Sequence, residues 1–101
     1  MDVNFKTELD VNNASVELNT FVHEFLTRTV VGAVSSLKGV EHIQGLELHL
    51  AHSDVKIVVN GNEGPLTPFP KEIITNTIIG LVSPLKGIEK VDSLKINIRP
   101  K

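Results

Sequence analysis

The chain contains no cysteine, tryptophan or tyrosine, and only four phenylalanine residues. The absence of cysteine excludes disulfides, thiolate metal sites and thiol nucleophiles. The scarcity of aromatic side chains argues against an RNA-binding sheet, which stacks bases on aromatic residues of its central strands. We therefore expect no nucleic-acid partner.

Excess charge and long apolar runs are also missing from this sequence. The formal net charge is -2 over 101 residues, and no basic run is present that would attract nucleic acid. No apolar stretch approaches a membrane span, and the first ten residues lack the basic and apolar regions of a signal peptide. The sequence predicts a single domain over residues 1–101, located in the cytoplasm and independent of membranes.

One feature that is present is an internal repeat. When the chain is shifted by 48 positions, residues 21–50 align with residues 69–98 without a gap, and 12 of the 30 pairs are identical. Random pairing would give roughly two identities at ordinary residue usage. The match indicates a duplication, with half-repeats at about 1–50 and 51–101.

Each half reads as strand, helix and strand. Apolar residues at three- and four-residue steps predict two helices, the first capped by Asn19 or Thr20 and the second beginning at Pro68. Alternation of apolar and polar residues predicts strands over 3–11, 46–50, 55–59 and 94–98. The predicted core residues on the helices are Phe25, Leu26, Val30, Ala33 and Leu37, with Ile73, Ile74, Ile78, Leu81 and Leu85 in the second copy.

This order, β-α-β-β-α-β, predicts an α+β domain of the ferredoxin-like kind. We expect a four-stranded antiparallel sheet in the order 4-1-3-2, with both helices on one face and a pseudo-twofold axis relating the halves. The other sheet face would be open and polar. It would carry Asn4, Lys6, Glu8, Asp10, Glu47, His49, Lys56, Val58, Asn60, Lys95, Asn97 and Arg99.

Two histidines are the weak candidates for metal binding. His49 and His52 lie three residues apart around the predicted hairpin turn, and imidazole is a good ligand for zinc or nickel. A metal site normally needs three or four placed ligands, and exposed histidines near a turn usually have no such role. We therefore predict no metal and no cofactor, and keep these residues as an alternative.

The helices supply the candidates for interaction with another protein. Val31 and Ile79 point away from the predicted core stripe, and Val34 and Val82 flank its edge. Exposed apolar residues that recur in both copies can form a docking patch. Gly32 and Gly80 lie within the helices, where close approach of the two helices would explain them and a cleft for a ligand or partner is the alternative.

No catalytic constellation can be named, so an enzyme is not predicted. We expect a non-enzymatic interaction module that self-associates or docks a partner protein through a helix face, the open sheet face or a strand edge. The alternative is a domain that binds a small ligand or a metal ion, either through the loops before the helices or through His49 and His52.

Overall fold

The computed structural model describes residues 5–37, 42–51, 54–64, 68–85 and 90–100. The elements in chain order are β1 (Phe5–Val11), β2 (Ala14–Val16), α1 (Thr20–Ser35), β3 (Leu46–Ala51), β4 (Asp54–Val59), β5 (Asn62–Gly64), α2 (Pro68–Val82) and β6 (Ser93–Pro100). From β4 onward, each element follows its counterpart in the first half at an offset close to 48 residues.

The six strands form one antiparallel sheet in the order β2-β1-β6-β3-β4-β5. The prediction of a four-stranded ferredoxin-like sheet in the order 4-1-3-2 is therefore wrong. Among the four long strands the observed order is first, fourth, second and third. The centre of the sheet is formed by β6 and β3, one from each half.

Two tight turns account for the additional strands. Asn12 and Asn13 have φ angles of 52° and 67°, and Asn60 and Gly61 have φ angles of 51° and 83°. Positive φ at both central residues is the requirement of a type I′ hairpin turn, which asparagine and glycine meet at small cost. These turns fold β2 back on β1 and β5 back on β4, in segments where the sequence pattern predicts no strand.

The same two hairpins explain the strand order. In the predicted order, β1 and β4 would be neighbours at the centre of the sheet, so each would need both of its edges. In the structure, β2 occupies one edge of β1 and β5 occupies one edge of β4. β1 and β4 then each have only one edge that is free along its whole length, and the centre is filled by β6 and β3.

The core lies between one face of the sheet and the two helices, as predicted. On every long strand the buried residues alternate with more exposed ones, and the buried residues of the strands and of both helices form one cluster. The central members include Leu48 and Ile96 on the sheet and Val30 and Ile78 on the helices, each with at most 1% exposure. Apolar burial of this kind supplies most of the stabilisation.

The helix starts are confirmed, but the predicted helix faces are rotated. The Asn19 side chain accepts a hydrogen bond from the Val22 N–H (2.8 Å), and α2 begins at Pro68. Phe25 and Ile73, predicted to be in the core, are 51% and 48% exposed. The buried residues of α1 are Leu26, Thr27, Val30, Val31 and Val34. The core positions predicted for Leu26 and Val30 are therefore confirmed, as are those of Ile74 and Ile78 on α2.

Candidate functional site

Two asparagine side chains hold the starts of the central strands. The Asn60 Oδ1 accepts hydrogen bonds from the backbone N–H groups of Gln44 (2.8 Å) and Gly45 (3.1 Å), and its Nδ2 donates to the His42 carbonyl (2.7 Å). The Asn60 backbone N–H also donates to the Gly45 carbonyl (2.9 Å). We call this set of bonds an asparagine clasp.

A second clasp repeats the first at the offset of 48 residues. The Asn12 Oδ1 accepts from the N–H groups of Asp92 (2.8 Å) and Ser93 (3.0 Å), and its Nδ2 donates to the Lys90 carbonyl (2.6 Å). The Asn12 backbone N–H donates to the Ser93 carbonyl (2.8 Å). Because β3 and β6 are antiparallel, the two clasps lie at opposite ends of the sheet.

The outer edge of β1 is capped by a histidine. Beyond its three pairs with β2, the strand leaves residues 5–8 at the edge of the sheet, and there the Thr7 N–H donates to the His23 Nε2 (3.0 Å). The Thr7 and Thr27 hydroxyls are hydrogen-bonded to each other, and the Thr27 hydroxyl also donates to the His23 carbonyl (2.6 Å). A satisfied N–H is a poor template for another strand.

An ion pair lies at the outer edge of β4. Lys71, the counterpart of His23, binds the carboxylate of Asp54 at the start of the strand. The hydrogen bond and charge of Lys71 lower the pKa of Asp54 below its usual range, and the Val55 N–H contributes less. The described contacts therefore lie beside the parts of β1 and β4 that β2 and β5 leave uncovered.

We expect Lys71→Ala to raise the pKa of Asp54 back toward the usual range for aspartate. The sign follows from linkage: because the folded-state pKa is lowered, the contact stabilises the fold above the unfolded pKa, and this contribution is lost as pH falls through the folded pKa. The pKa is measured by NMR titration of the Asp54 side-chain carboxyl. Lys56→Ala, which removes an ion pair with Glu63 instead, is the control. An unchanged Asp54 titration in Lys71→Ala would contradict the assignment.

The predicted interaction residues are placed inside the molecule. Val31 is 9% exposed, and Val34 and Val82 are fully buried. Ile79 is partly buried and packs against the core. The exposure on which their proposed docking role depended is therefore not present in the folded chain. The rotation of the α1 face accounts for this burial, because the core stripe is shifted toward Thr27, Val31 and Val34 and away from Phe25.

The apolar residues that do face solvent lie near the helix starts. Phe21 and Phe25 are 72% and 51% exposed, and their ring centroids are 5.7 Å apart. Ile73, which lies 48 residues after Phe25, holds the matching place on α2. We call the solvent-facing residues of the two helices the outer helix surface. Sequence reasoning missed it because the same apolar spacing suits a core stripe.

The two helix glycines also lie on this surface. Gly32 and Gly80 are exposed, and a Cβ added at either position would meet nothing within 4 Å. The interpretation that they allow close approach of α1 and α2 is therefore wrong. Since glycine in a helix costs about 1 kcal/mol relative to alanine, the described fold gives no reason for either residue.

The open sheet face has the polar character that was predicted. Asp10, Lys95, His49 and Lys56 stand side by side in one row across β1, β6, β3 and β4. In the next row, Glu8, Asn97, Glu47 and Val58 are neighbours. Of the remaining predicted residues, Lys6 and Arg99 lie on this face, Asn60 lies in a turn, and Asn4 is outside the described residues.

Two shallow depressions on the open face lie beside the asparagine clasps. The β3 depression, of about 310 Å³, is bounded by Glu47, Val58, Asn97 and Arg99 over Gly45. The β6 depression, of about 380 Å³, is bounded by Asp10, Asn13, His49 and Lys95 over Ala51 and Ser93. The two occupy equivalent places at the 48-residue offset, but their polar side chains differ.

Metal binding has little support from the side chains that can be placed. Within the described residues, no group of three or more histidine, aspartate or glutamate side chains is arranged to hold a metal ion. His49 Nε2 lies 3.8 Å from a Glu47 oxygen, but Lys95 and Lys56 flank it in its row. Those two positive charges would repel a cation. His52 lies outside the described residues.

No protein-family profile, curated protein or solved structure matches this chain. None of the described helices is both long and apolar enough to cross a membrane. The cytoplasmic location stays a prediction from the sequence.

Proposed function

We propose that this chain is a small non-enzymatic interaction module that self-associates, with the outer helix surface of one copy packed on that of a second copy. The exposure of the adjacent rings of Phe21 and Phe25 carries the proposal. Apolar surface that is exposed to water in the monomer and buried between two copies contributes association free energy, at about 25 cal/mol for each Å² buried.

Area and shape are consistent with a second copy as the partner. Helices of 16 and 15 residues, at 1.5 Å per residue and about 10 Å in width, present roughly 500 Å² in projection and more as accessible surface. A standard interface buries about 800 Å² per partner. The exposed glycines, Gly32 and Gly80, leave space where a partner helix can approach the backbone.

The charged residues of the helices are compatible with a second copy as the partner. Arg28 lies one turn after Glu24 on α1, and the equivalent positions on α2 are Asn76 and Glu72. Twofold symmetry would make each contact between the copies twice.

The hydroxyl groups that the structure describes are consistent with a non-enzymatic role. Among the described residues, no serine or threonine hydroxyl is hydrogen-bonded to an imidazole ring or a carboxylate. The Thr7 and Thr27 hydroxyls bond each other inside the core instead. Their arrangement holds α1 against β1.

The test is molar mass by light scattering over a concentration series. Wild-type chains are expected to shift from the 11.0 kDa monomer toward twice that mass. Phe21→Ser with Phe25→Ser should stay monomeric, with at least a tenfold weaker association. Lys56→Ala on the open face is the matched control and should dimerise normally. A monomeric wild type, or a double variant that dimerises as the wild type does, overturns the proposal.

Gly32→Ala is a second test of the proposed contact, because its expected effects on the stability of the monomer and on dimerisation are opposite. Since a Cβ there meets nothing within 4 Å among the described residues, we expect the monomer to gain up to about 1 kcal/mol of stability from helix propensity. The same Cβ would hinder a helix packed closely on Gly32, so the dimer should weaken. Equal dimerisation of Gly32→Ala and the wild type would place the contact away from this glycine.

A further inference from the structure

We propose that the β6 depression binds a small zwitterion of the α-amino acid type, with its ammonium on Asp10 and its carboxylate on Lys95 and His49. The proposal is independent of self-association, because this depression lies on the open face and the outer helix surface lies on the other side of the molecule. The binding groups come from three neighbouring strands.

The Asp10 and Lys95 side chains are adjacent in the depression but form no ion pair with each other. Asp10 and Lys95 are directly paired across β1 and β6, and His49 is paired with Lys95 across β6 and β3. Yet no ion pair or hydrogen bond of the Asp10 or Lys95 side chain occurs within the described part of the chain. Paired side chains on one face of a sheet have Cβ atoms about 5 Å apart, a spacing that a ligand with two nearby opposite charges can bridge.

The composition of the depression selects against simpler ligands. Asp10 would repel phosphate or a dicarboxylate, and Lys95 would repel a metal ion or an amine. A molecule that carries both charges satisfies both groups. Asn13, which lies in the turn between β1 and β2, adds an amide at the rim.

The floor of the depression limits the size of the ligand. Its residues, Ala51 and Ser93, are short, so they create the space but leave little apolar surface for a large side chain. The volume of about 380 Å³ is near the lower end for small-molecule sites. A small amino acid such as glycine or alanine suits this space. Because the depression is open, we expect a Kd on the order of 1 mM.

In the β3 depression the charged side chains already have partners. Its cation, Arg99, donates to a Glu8 oxygen (2.8 Å), and its carboxylate, Glu47, lies near His49. Arg99 takes the place that Ala51 has in the β6 depression, and Val58 takes the place of Asp10. An unused pair of opposite charges over a small-residue floor is therefore found only in the β6 depression of the two.

The experiment is a two-dimensional NMR titration of the full chain with glycine, acetate and methylammonium, each up to ~50 mM. Glycine should shift the amide signals of residues 10, 49 and 95 in a saturable way, and each half-ligand should bind at least tenfold more weakly. Asp10→Asn and Lys95→Gln should each weaken glycine binding at least tenfold. Arg99→Gln, which removes a cation from the β3 depression and contacts none of the proposed binding groups, is the control and should leave binding unchanged.

Each other outcome counts against the proposal. Shifts by acetate equal to those by glycine would show a plain anion site, and equal shifts by methylammonium would show a cation site. The absence of saturable shifts with glycine overturns the site outright. Glycine binding that survives Asp10→Asn overturns the assignment of the ammonium, and survival in Lys95→Gln overturns that of the carboxylate.

Discussion

Fragments 1–51 and 52–101, prepared separately, are expected to be unfolded and to form the complete sheet only when mixed. Each half contributes its last strand to the other half. β3 pairs with β4 and β6, both from the second half, and β6 pairs with β1 and β3, both from the first. Within either half alone, a single short hairpin is left.

The energetic reason is that an isolated hairpin is at best marginally stable in water. In fragment 1–51, α1 would have only β1 and β2 beneath it, and β3 would have no partner for either edge. Leu48 and Ile96, buried at the centre of the sheet, would both be exposed by the separation. The folding of each half therefore depends on the other.

Circular dichroism and amide NMR spectra of each fragment and of the equimolar mixture check this prediction. Fragment 52–101 carrying Ile96→Asp is the control, since a charge at this fully buried position should prevent complementation. A fragment that folds as a monomer would contradict the prediction, and so would a mixture that stays disordered.

Asn60→Ala is expected to lower the free energy of unfolding by about 2.5–6.5 kcal/mol. The alanine removes three side-chain hydrogen bonds, each worth roughly 0.5–1.5 kcal/mol. It also has to hold a φ of 51°, where a residue other than glycine or asparagine loses about 1–2 kcal/mol. Urea unfolding of wild type and variant measures the difference.

Two further variants separate these causes. Asn60→Gly tolerates the backbone angle and loses only the side-chain bonds, so its effect should be smaller than that of alanine. Asn62→Ala, which removes a single long hydrogen bond of 3.4 Å, should change stability by less than about 0.5 kcal/mol. If Asn60→Ala is no worse than Asn62→Ala, the clasp does not stabilise the fold.

The candidate surfaces could be predicted only in part. Alternation along the strands placed Lys95, His49 and Asp10 on the open face, because side chains of a strand change sides at every residue. It could not bring those three together, since their row joins residues that are at least 39 positions apart in the chain. The exposed pair of Phe21 and Phe25 was missed because the spacing of apolar residues predicts an apolar stripe on a helix but not which side of the helix packs on the sheet.

Local signals in the sequence predict where the helices and the long strands lie, namely the periods of 3.6 and 2 and the residues at Asn19 and Pro68. Asn12-Asn13 and Asn60-Gly61 are local signals too, typical of hairpin turns. The strand order, the rotation of the helices and the meeting of Asp10, His49 and Lys95 arise from tertiary packing alone. These depend on which edges the two hairpins leave open, and that competition among distant strands has no local signature in the chain.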